Sequence, residues 1–298
     1  MKISIIIPTY NRERNLAFTL TALKNQTFKD FEVIVADDGS VDKTSEVVKR
    51  FPDVKYIYLG ENKGYRQSRA RNEGVKIASK DSDAYIFLDA DVLLPPNALE
   101  LYIEDYKKEP NRVVCGIYHW GIPMEITEED ILERWEDIIN ERLPEMGGDP
   151  HGMQGQDIRM VLFDEKTVDD LCFEDGHYLA AFGGNLLVPK KIFEAIGLYN
   201  KAYNPEKNDE HCGYDQYFTA PIEDGDFGLT LRDVGYPICF DNRIVAYHVW
   251  HPRNIGEIQK VSTEQIPYLD KKHQSDIVKM TQQTYRGWLK DDKEREIK

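Results

Sequence analysis

Ile86-Phe87-Leu88-Asp89-Ala90-Asp91-Val92-Leu93-Leu94-Pro95 is an apolar run that stops on two aspartates one residue apart, with a second proline, Pro96, directly after it. A short apolar run with a polar end reads as a buried strand, and a proline pair suits the first turn of a helix. Strand, acids and helix in that order put Asp89 and Asp91 at the carboxyl edge of a sheet, where open parallel sheets hold their ligands.

The sequence on either side repeats this alternation. Strands are expected at Ile3 to Pro8, Phe31 to Ala36, Val54 to Leu59, Ala84 to Leu88 and Arg112 to Tyr118. Helices are expected at Arg12 to Gln26, Asp42 to Phe51, near Gly64 to Ala78 and at Pro95 to Lys108. Strands apolar on both faces, joined through helices, predict an α/β protein with a mostly parallel central sheet. From Gly121 to Asp175 the sequence turns acidic and mixed, with a helical pattern near Thr127 to Arg142, and reads as an insertion that shapes a site. A turn into a strand follows at Phe182 to Pro189, a helix at Ile222 to Val234, and strands at Pro237 to Phe240 and Arg243 to Tyr247. The organisation expected is one large domain: a ligand-binding half over 1–118, a second half over 119–252 with its insertion at 121–175, and a helical tail over 253–298.

Composition narrows the chemistry. With 298 residues and 41% hydrophobic content the chain can bury a substantial core. A formal net charge of -15 argues against a nucleic-acid binder or a protein held on anionic lipid, since both need a basic face. Cys115, Cys172, Cys212 and Cys239 form no C-x-x-C pair, so reduced thiols and a cytoplasmic location are expected. The apolar run at Ile3 to Ile7 is too short for a signal peptide, and no stretch reaches transmembrane length, so no integral membrane segment is expected.

Each early strand is followed by a polar cluster: Tyr10-Asn11, then Asp37-Asp38-Gly39-Ser40, then Glu61-Asn62-Lys63-Gly64, then Asp89-Ala90-Asp91. Asp37 and Asp38 can cap the next helix, with Ser40 an N-cap candidate in its own right. The functional reading gives one of them, Asp38 by preference, a hydrogen bond from a nucleobase imide or amide N–H, as in uracil or guanine. Arg66, Arg69 and Arg71 lie close together in an otherwise acidic chain. Small Ala70 and Gly74 favour Arg71 and Asn72 as residues near the base and ribose, where the Arg71 guanidinium can also hold Asp38. Asp89 and Asp91 cannot grip a diphosphate directly, but Mn²⁺ or Mg²⁺ between them reverses the sign and stabilises a departing nucleoside diphosphate. Glu223 and Asp224, at a predicted helix start, answer the helix dipole or supply a base, with Asp224 taking the proton. His248 and His251 close a strand, and His248 is the candidate to complete a metal site. Gly183-Gly184-Asn185 is a tight turn whose glycines allow close backbone approach to a sugar.

Taken in order, these motifs resemble the family 2 glycosyltransferases of the GT-A, Rossmann-like fold, from Ser4-Ile5-Ile6-Ile7-Pro8-Thr9-Tyr10-Asn11 to Glu223-Asp224, over roughly residues 1 to 250. The resemblance implies transfer of one sugar from a nucleoside diphosphate sugar, a UDP-sugar foremost, to a hydroxyl acceptor with inversion at the anomeric carbon. A glycan, a lipid-linked saccharide and a small molecule all fit as the bearer of that hydroxyl, and so does a protein side chain. By the same similarity Pro8, Thr9 and Asp38 meet the nucleoside, Asp89 and Asp91 the ribose and metal, and Asp224 is the base. The insertion matches no familiar pattern, and the Q-x-x-R-W motif and membrane helices of processive synthases are missing from the sequence, which favours single additions. A nucleotidyltransferase also uses a nucleotide-binding sheet with paired acids, but the expected Gly-rich, Lys-bearing phosphate loop is not found near the start of the chain. A non-catalytic nucleotide-sugar-binding module is the remaining alternative.

Overall fold

A computed structural model gives the fold and describes residues 1–61, 66–122, 125–139, 183–196 and 222–249, together with 267, 270, 271, 273 and 274. Asn62, Gly64, His251, nearly all of the expected insertion after residue 139 and most of the tail lie outside the described residues.

Eight strands among the described residues form one mixed sheet in the order β3-β2-β1-β4-β7-β6-β8-β5. Its amino-terminal part is the parallel βαβ core read from the sequence. β1 (Ile3–Thr9), β2 (Phe31–Asp37), β3 (Val54–Tyr58) and β4 (Ala84–Leu88) pair in parallel, with α1 (Glu13–Lys24), α2 (Thr44–Lys49) and α3 (Gln67–Ile77) as crossovers. β6 (Val113–Ile122) and β7 (Asn185–Pro189) continue the sheet, with β7 antiparallel to both β4 and β6. β8 (Ile238–Val249) runs parallel to β6. It is one long strand where the sequence predicted two, because the polar break at Asp241 and Asn242 is absorbed by a register shift between Gly116 and Ile117.

The side-chain alternation of β1 explains the layers. Ile3, Ile5 and Ile7 point to one face, where Leu16 and Leu20 of α1, Val47 of α2 and Leu99 and Tyr102 of α4 (Ala98–Lys108) cover them. Ile6 points to the other face. There Phe193 of α7 (Lys190–Ala195) and Phe227, Leu229 and Leu231 of α8 (Ile222–Asp233) complete the second core. α3 lies on this second face, and Gly74 lets it press close: a Cβ there would come 2.5 Å from Cγ2 of Ile6. The small residues of α3 thus serve the approach of helix to sheet.

Two local departures shape the site. After Asp91 the chain does not enter a helix at once: Val92 and Leu93 form β5, antiparallel to β8, and α4 begins only at Ala98. That pairing sets Val92 opposite His248. The expected helix from Thr127 breaks into α5 (Glu128–Glu133), opened by a reciprocal cap between Thr127 and Asp130, and the single turn α6 (Trp135–Asp137). Among the cysteines, Cys115 is free and buried, as expected, whereas Cys239 is disulfide-bonded, which corrects the expectation of four reduced thiols. Among the described residues no helix is long and apolar enough to cross a membrane.

Candidate active site

The carboxyl ends of β1, β2 and β4 face the start of α3, and the polar side chains gathered there fall into two groups. The first surrounds Asp38. β2 ends at Asp37, and its carboxylate closes the turn that follows: Oδ1 accepts from the amides of Gly39 (3.1 Å) and Ser40 (2.7 Å), and Oδ2 from the Tyr56 hydroxyl at 2.6 Å. Gly39 adopts φ 95°, a conformation that glycine enters without a steric penalty. Asp37 therefore builds the loop, and both its oxygens are engaged. Ser40 does not cap α2; its hydroxyl accepts from the amide of Asn11 at 2.8 Å, and the Asn11 side chain accepts from the amide of Val41 at 2.8 Å. Asn11 ties the β1 and β2 loops together from a left-handed backbone, φ 51°. Pro8 and Thr9 are buried beneath this junction, and Tyr10 stands exposed beside it.

Asp38 itself faces arginines. Arg66 reaches its two oxygens at 2.8 and 3.2 Å, and Arg69 approaches Oδ1 at 3.5 Å. Burial dominates even so, and pushes the Asp38 carboxyl up to about 6 against the pull of both guanidiniums. The expectation that Arg71 would hold Asp38 is corrected here.

Arg71 is instead the centre of the second group. Only 1% of its side chain is exposed. Nη2 lies 3.2 Å from Oδ1 of Asp89, while Nη1 lies 3.1 Å from Oδ1 of Asp224 and 3.4 Å from Oε1 of Glu223. One guanidinium from α3 thus joins the end of β4 to the first turn of α8. Two neighbours on α3 complete the network: Gln67 donates to Oδ1 of Asp89 at 2.6 Å and Ser68 to Oε2 of Glu223 at 3.1 Å. Burial, offset in part by Arg71, pushes Asp89 up to about 6 and Glu223 up to about 8, with the neighbouring acids adding to both.

The glycine pair at the head of β7 is a packing requirement of this group. A Cβ on Gly183 would lie 2.5 Å from Oδ1 of Asp224 and 2.7 Å from Nη1 of Arg71; on Gly184 it would lie 2.1 Å from Oδ2 of Asp89 and 2.5 Å from the Tyr118 hydroxyl. The Asp89 amide also donates to the Gly184 carbonyl at 3.0 Å. Asn185 departs from its expected place at the donor. Its amide points into the core, donating to the carbonyls of Ile117 and Ile244 and accepting from the Tyr102 hydroxyl at 2.7 Å. It pins β7 to β6 and β8.

Asp91, two residues further on, meets different partners from Asp89. Oδ1 stands 3.5 Å from Nε2 of His248 and Oδ2 stands 3.8 Å from Nε of Arg12. The backbone locks this arrangement, because the Asp91 carbonyl accepts from the Val249 amide at 2.8 Å, and the Ala90 carbonyl accepts from the Thr19 hydroxyl at 3.0 Å. Among the described residues, no three His, Cys, Asp or Glu side chains converge as a complete metal cage. A carboxylate oxygen facing an imidazole nitrogen nonetheless fits a divalent cation that accepts a nitrogen donor beside oxygens, which Mn²⁺ does more readily than Mg²⁺, and that takes its other ligands from phosphate oxygens and water. Gln67, Ser68 and Arg12 were not singled out from the sequence, and Arg66 and Arg69 only as members of the arginine cluster, yet all contact one of these acids.

The sequence pattern described as glycosyl transferase family 2 matches residues 4–164. Validoxylamine A glucosyltransferase of Streptomyces hygroscopicus subsp. limoneus is 41% identical over 259 residues, covering 84% of this chain and 52% of that protein. Chondroitin synthase of Escherichia coli is 30% identical over 274 residues, covering 89% of this chain and 37% of that protein. The chain therefore spans about half or less of these relatives. Among solved structures, S. aureus TarS 1-349 in complex with UDP shares the fold with a TM-score of 0.55 at 19% identity, over 89% of this chain and 65% of that one. A second crystal structure of the same TarS fragment is in complex with UDP-GlcNAc.

Proposed function

This chain belongs to glycosyl transferase family 2, and we propose that it moves one sugar from a nucleoside diphosphate sugar, a UDP-sugar foremost, to an acceptor hydroxyl with inversion at the anomeric carbon. The observation that carries this reading is the Arg71 hub, which fixes Asp224 against Asp89 across the crevice. A displacement needs a base held at a set distance from the leaving group, and a buried guanidinium between the two acids provides that rigidity.

In the proposed reaction, Asp38 accepts the imide N–H of the base and exposed Tyr10 lies within the same loop junction as a surface for its ring. Burial pushes the Glu223 carboxyl up to about 8, and the base role goes to its neighbour Asp224, which Arg71 holds at 3.1 Å. Asp224 takes the acceptor's hydroxyl proton as the acceptor oxygen bonds to the anomeric carbon. The bond from that carbon to the diphosphate oxygen breaks, and the nucleoside diphosphate leaves with the electron pair. Asp91 and His248, with Asp89 alongside, would hold Mn²⁺ or Mg²⁺, which supplies positive charge to the diphosphate in an acidic protein. Arg12, beside Asp91, is placed to add a second positive charge at the same end. The acceptor class stays with the candidates named from the sequence: glycan, lipid-linked saccharide, small molecule or protein side chain. UDP-bearing TarS complexes support the choice of base, and the named glucosyl and glycan-polymer relatives support a sugar donor.

The test is a screen of UDP-, GDP- and dTDP-sugars with Mn²⁺, scored by released nucleoside diphosphate. Release from a UDP-sugar, lost in EDTA and in Asp91→Ala, is the expected result, and activity that survives both removes the metal from the mechanism. Pyrophosphate release from a nucleoside triphosphate would instead make the protein a nucleotidyltransferase. Tight UDP binding with no turnover of any donor would make it a binding module.

A further inference from the structure

α8 carries Glu223 and Asp224, yet it is a poor helix by composition. Gly225 and Gly228 lie within Ile222–Asp233, and glycine is a weak helix former in a helix interior. Something outside the helix has to hold its first turns in register with Arg71. Besides core packing through Phe227, Leu229 and Leu231, the described residues include a clasp that can do so.

His273, from the far end of the chain, is buried against α8 with a carboxylate at each ring nitrogen. Nε2 lies 2.7 Å from Oδ1 of Asp226, and Nδ1 lies 2.6 Å from Oδ2 of Asp233. These acids sit about 10 Å apart along the helix axis, two turns at about 1.5 Å per residue, so a single ring ties the middle of α8 to its end. Asp226 is fully buried and Asp233 half-exposed. Arg232 completes the clasp: its Nη2 donates to the His273 carbonyl at 3.2 Å and to Oδ1 of Asp233 at 2.7 Å.

We infer that His273 is a positioning residue for Asp224. By bridging Asp226 and Asp233 it stiffens α8, and through α8 it holds the proposed base against Arg71. The kinetic consequence rests on the transferase reading, whereas the mechanical one does not, so two measurements on the full chain separate them. In His273→Gln and His273→Ala, kcat for sugar transfer falls roughly 10- to 100-fold, the scale of a displaced catalytic group, while the Kd of UDP stays within about twofold because the Asp38 group is untouched. In the same variants, hydrogen exchange at the amides of residues 223–229 accelerates at least about tenfold, while β1 and α3 keep their protection. The pair Asp226→Asn with His273→Gln loses no more kcat than His273→Gln alone, since removing the ring already cuts the Asp226 link. Should His273→Ala fail to fold, Asp233→Asn opens the clasp from its exposed side and is read in the same way.

Unchanged exchange in α8 overturns the inference whether or not any donor turns over. So does a loss of UDP affinity equal to the loss of kcat, which would make His273 a residue of general stability. A wild-type protein that turns over no donor, but whose α8 loosens in His273→Gln, keeps the clasp and sinks the transferase reading instead.

Discussion

Replacing Arg71 by methionine tests the site's central claim, because methionine keeps much of the arginine stem's length and apolar contact while removing the charge. Two of the three facing acids lie at 3.1 and 3.2 Å from the guanidinium, and at an effective dielectric of about 20 each such contact is worth about 5 kcal/mol before desolvation. Most of that gain offsets the burial of the charges. What the mutation exposes is the remainder: acids left facing one another without a cation, a loss of roughly 3–5 kcal/mol when a buried partner is removed. At about 2–4 °C per kcal/mol, the melting temperature falls by roughly 10 °C. Turnover suffers more than stability accounts for. Freed from Arg71, Asp89 and Asp224 repel and separate, and a displacement of about 1 Å in a reacting group costs on the order of a hundredfold in kcat. Arg71→Lys rescues little, because one ammonium cannot reach both acids through two fixed nitrogens. The measurements are calorimetric melting and donor turnover on the same preparations. A methionine variant that melts within a degree or two of the wild type, and transfers sugar within threefold of its rate, refutes the hub.

The remaining predictions concern separate parts of the chain. Asp38 is pushed up to about 6 by burial, and its ionised form is the stronger acceptor for an imide N–H. UDP affinity therefore strengthens as the pH rises through about 6, and titration calorimetry between pH 5 and 8 shows a dependence that disappears in Asp38→Asn. Gly184→Ala places a methyl group 2.1 Å from Oδ2 of Asp89 and 2.5 Å from the Tyr118 hydroxyl. Overpacking of this kind costs about 1–3 kcal/mol, and the variant should fold but lose at least tenfold in donor turnover; retained turnover would show that Asp89 can move without harm. On the opposite edge of the sheet, burial and the adjacent Asp241 push Asp105 up to about 7, with Arg243 and Arg112 only partly compensating. A carboxyl raised in the folded state stabilises most when protonated, so this group's contribution is full below about pH 4 and is lost as the pH rises through about 7. Asp105→Asn should flatten the fall in unfolding free energy between pH 5 and 8, and an unaltered slope in urea denaturation would rule the group out.

The fold was legible because its pattern is local. Short apolar runs such as Ile5 to Ile7 and Ala84 to Leu88 suit strands buried on both faces, and the helices between them carry their own periodicity. The two-residue β5 was not legible: Val92 and Leu93 have no pattern of their own and become a strand only because β8 lies alongside. Pairing, not propensity, decides so short an element, and it is that pairing which brings His248 to Asp91. Asn185 failed for a related reason. An asparagine after two glycines reads equally well as a ligand contact or as a core hydrogen-bonding residue, and only the orphaned carbonyls of Ile117 and Ile244 at the bulge in β6 and β8 settle which.

The arginines of α3 show a signal that was present and not used. On a helix, residues three apart share a face, while residues two apart point about 200° from one another. Arg66 and Arg69 must therefore serve one target, and Arg71 another. Gln67 and Ser68, four and three residues before Arg71, must share its side. The structure follows this division: Arg66 and Arg69 turn to Asp38, while Gln67, Ser68 and Arg71 turn to Asp89, Glu223 and Asp224. Side-chain size alone had assigned Arg71 to the nucleoside, whereas helical phase assigns it to the acids. The start of α3 is thus the joint between the proposed base-recognition loop and the proposed chemical centre. A one-residue insertion at Ala70 would rotate Arg71 by about 100° off the acids while leaving Arg66 and Arg69 in place, so UDP binding would survive and sugar transfer would not.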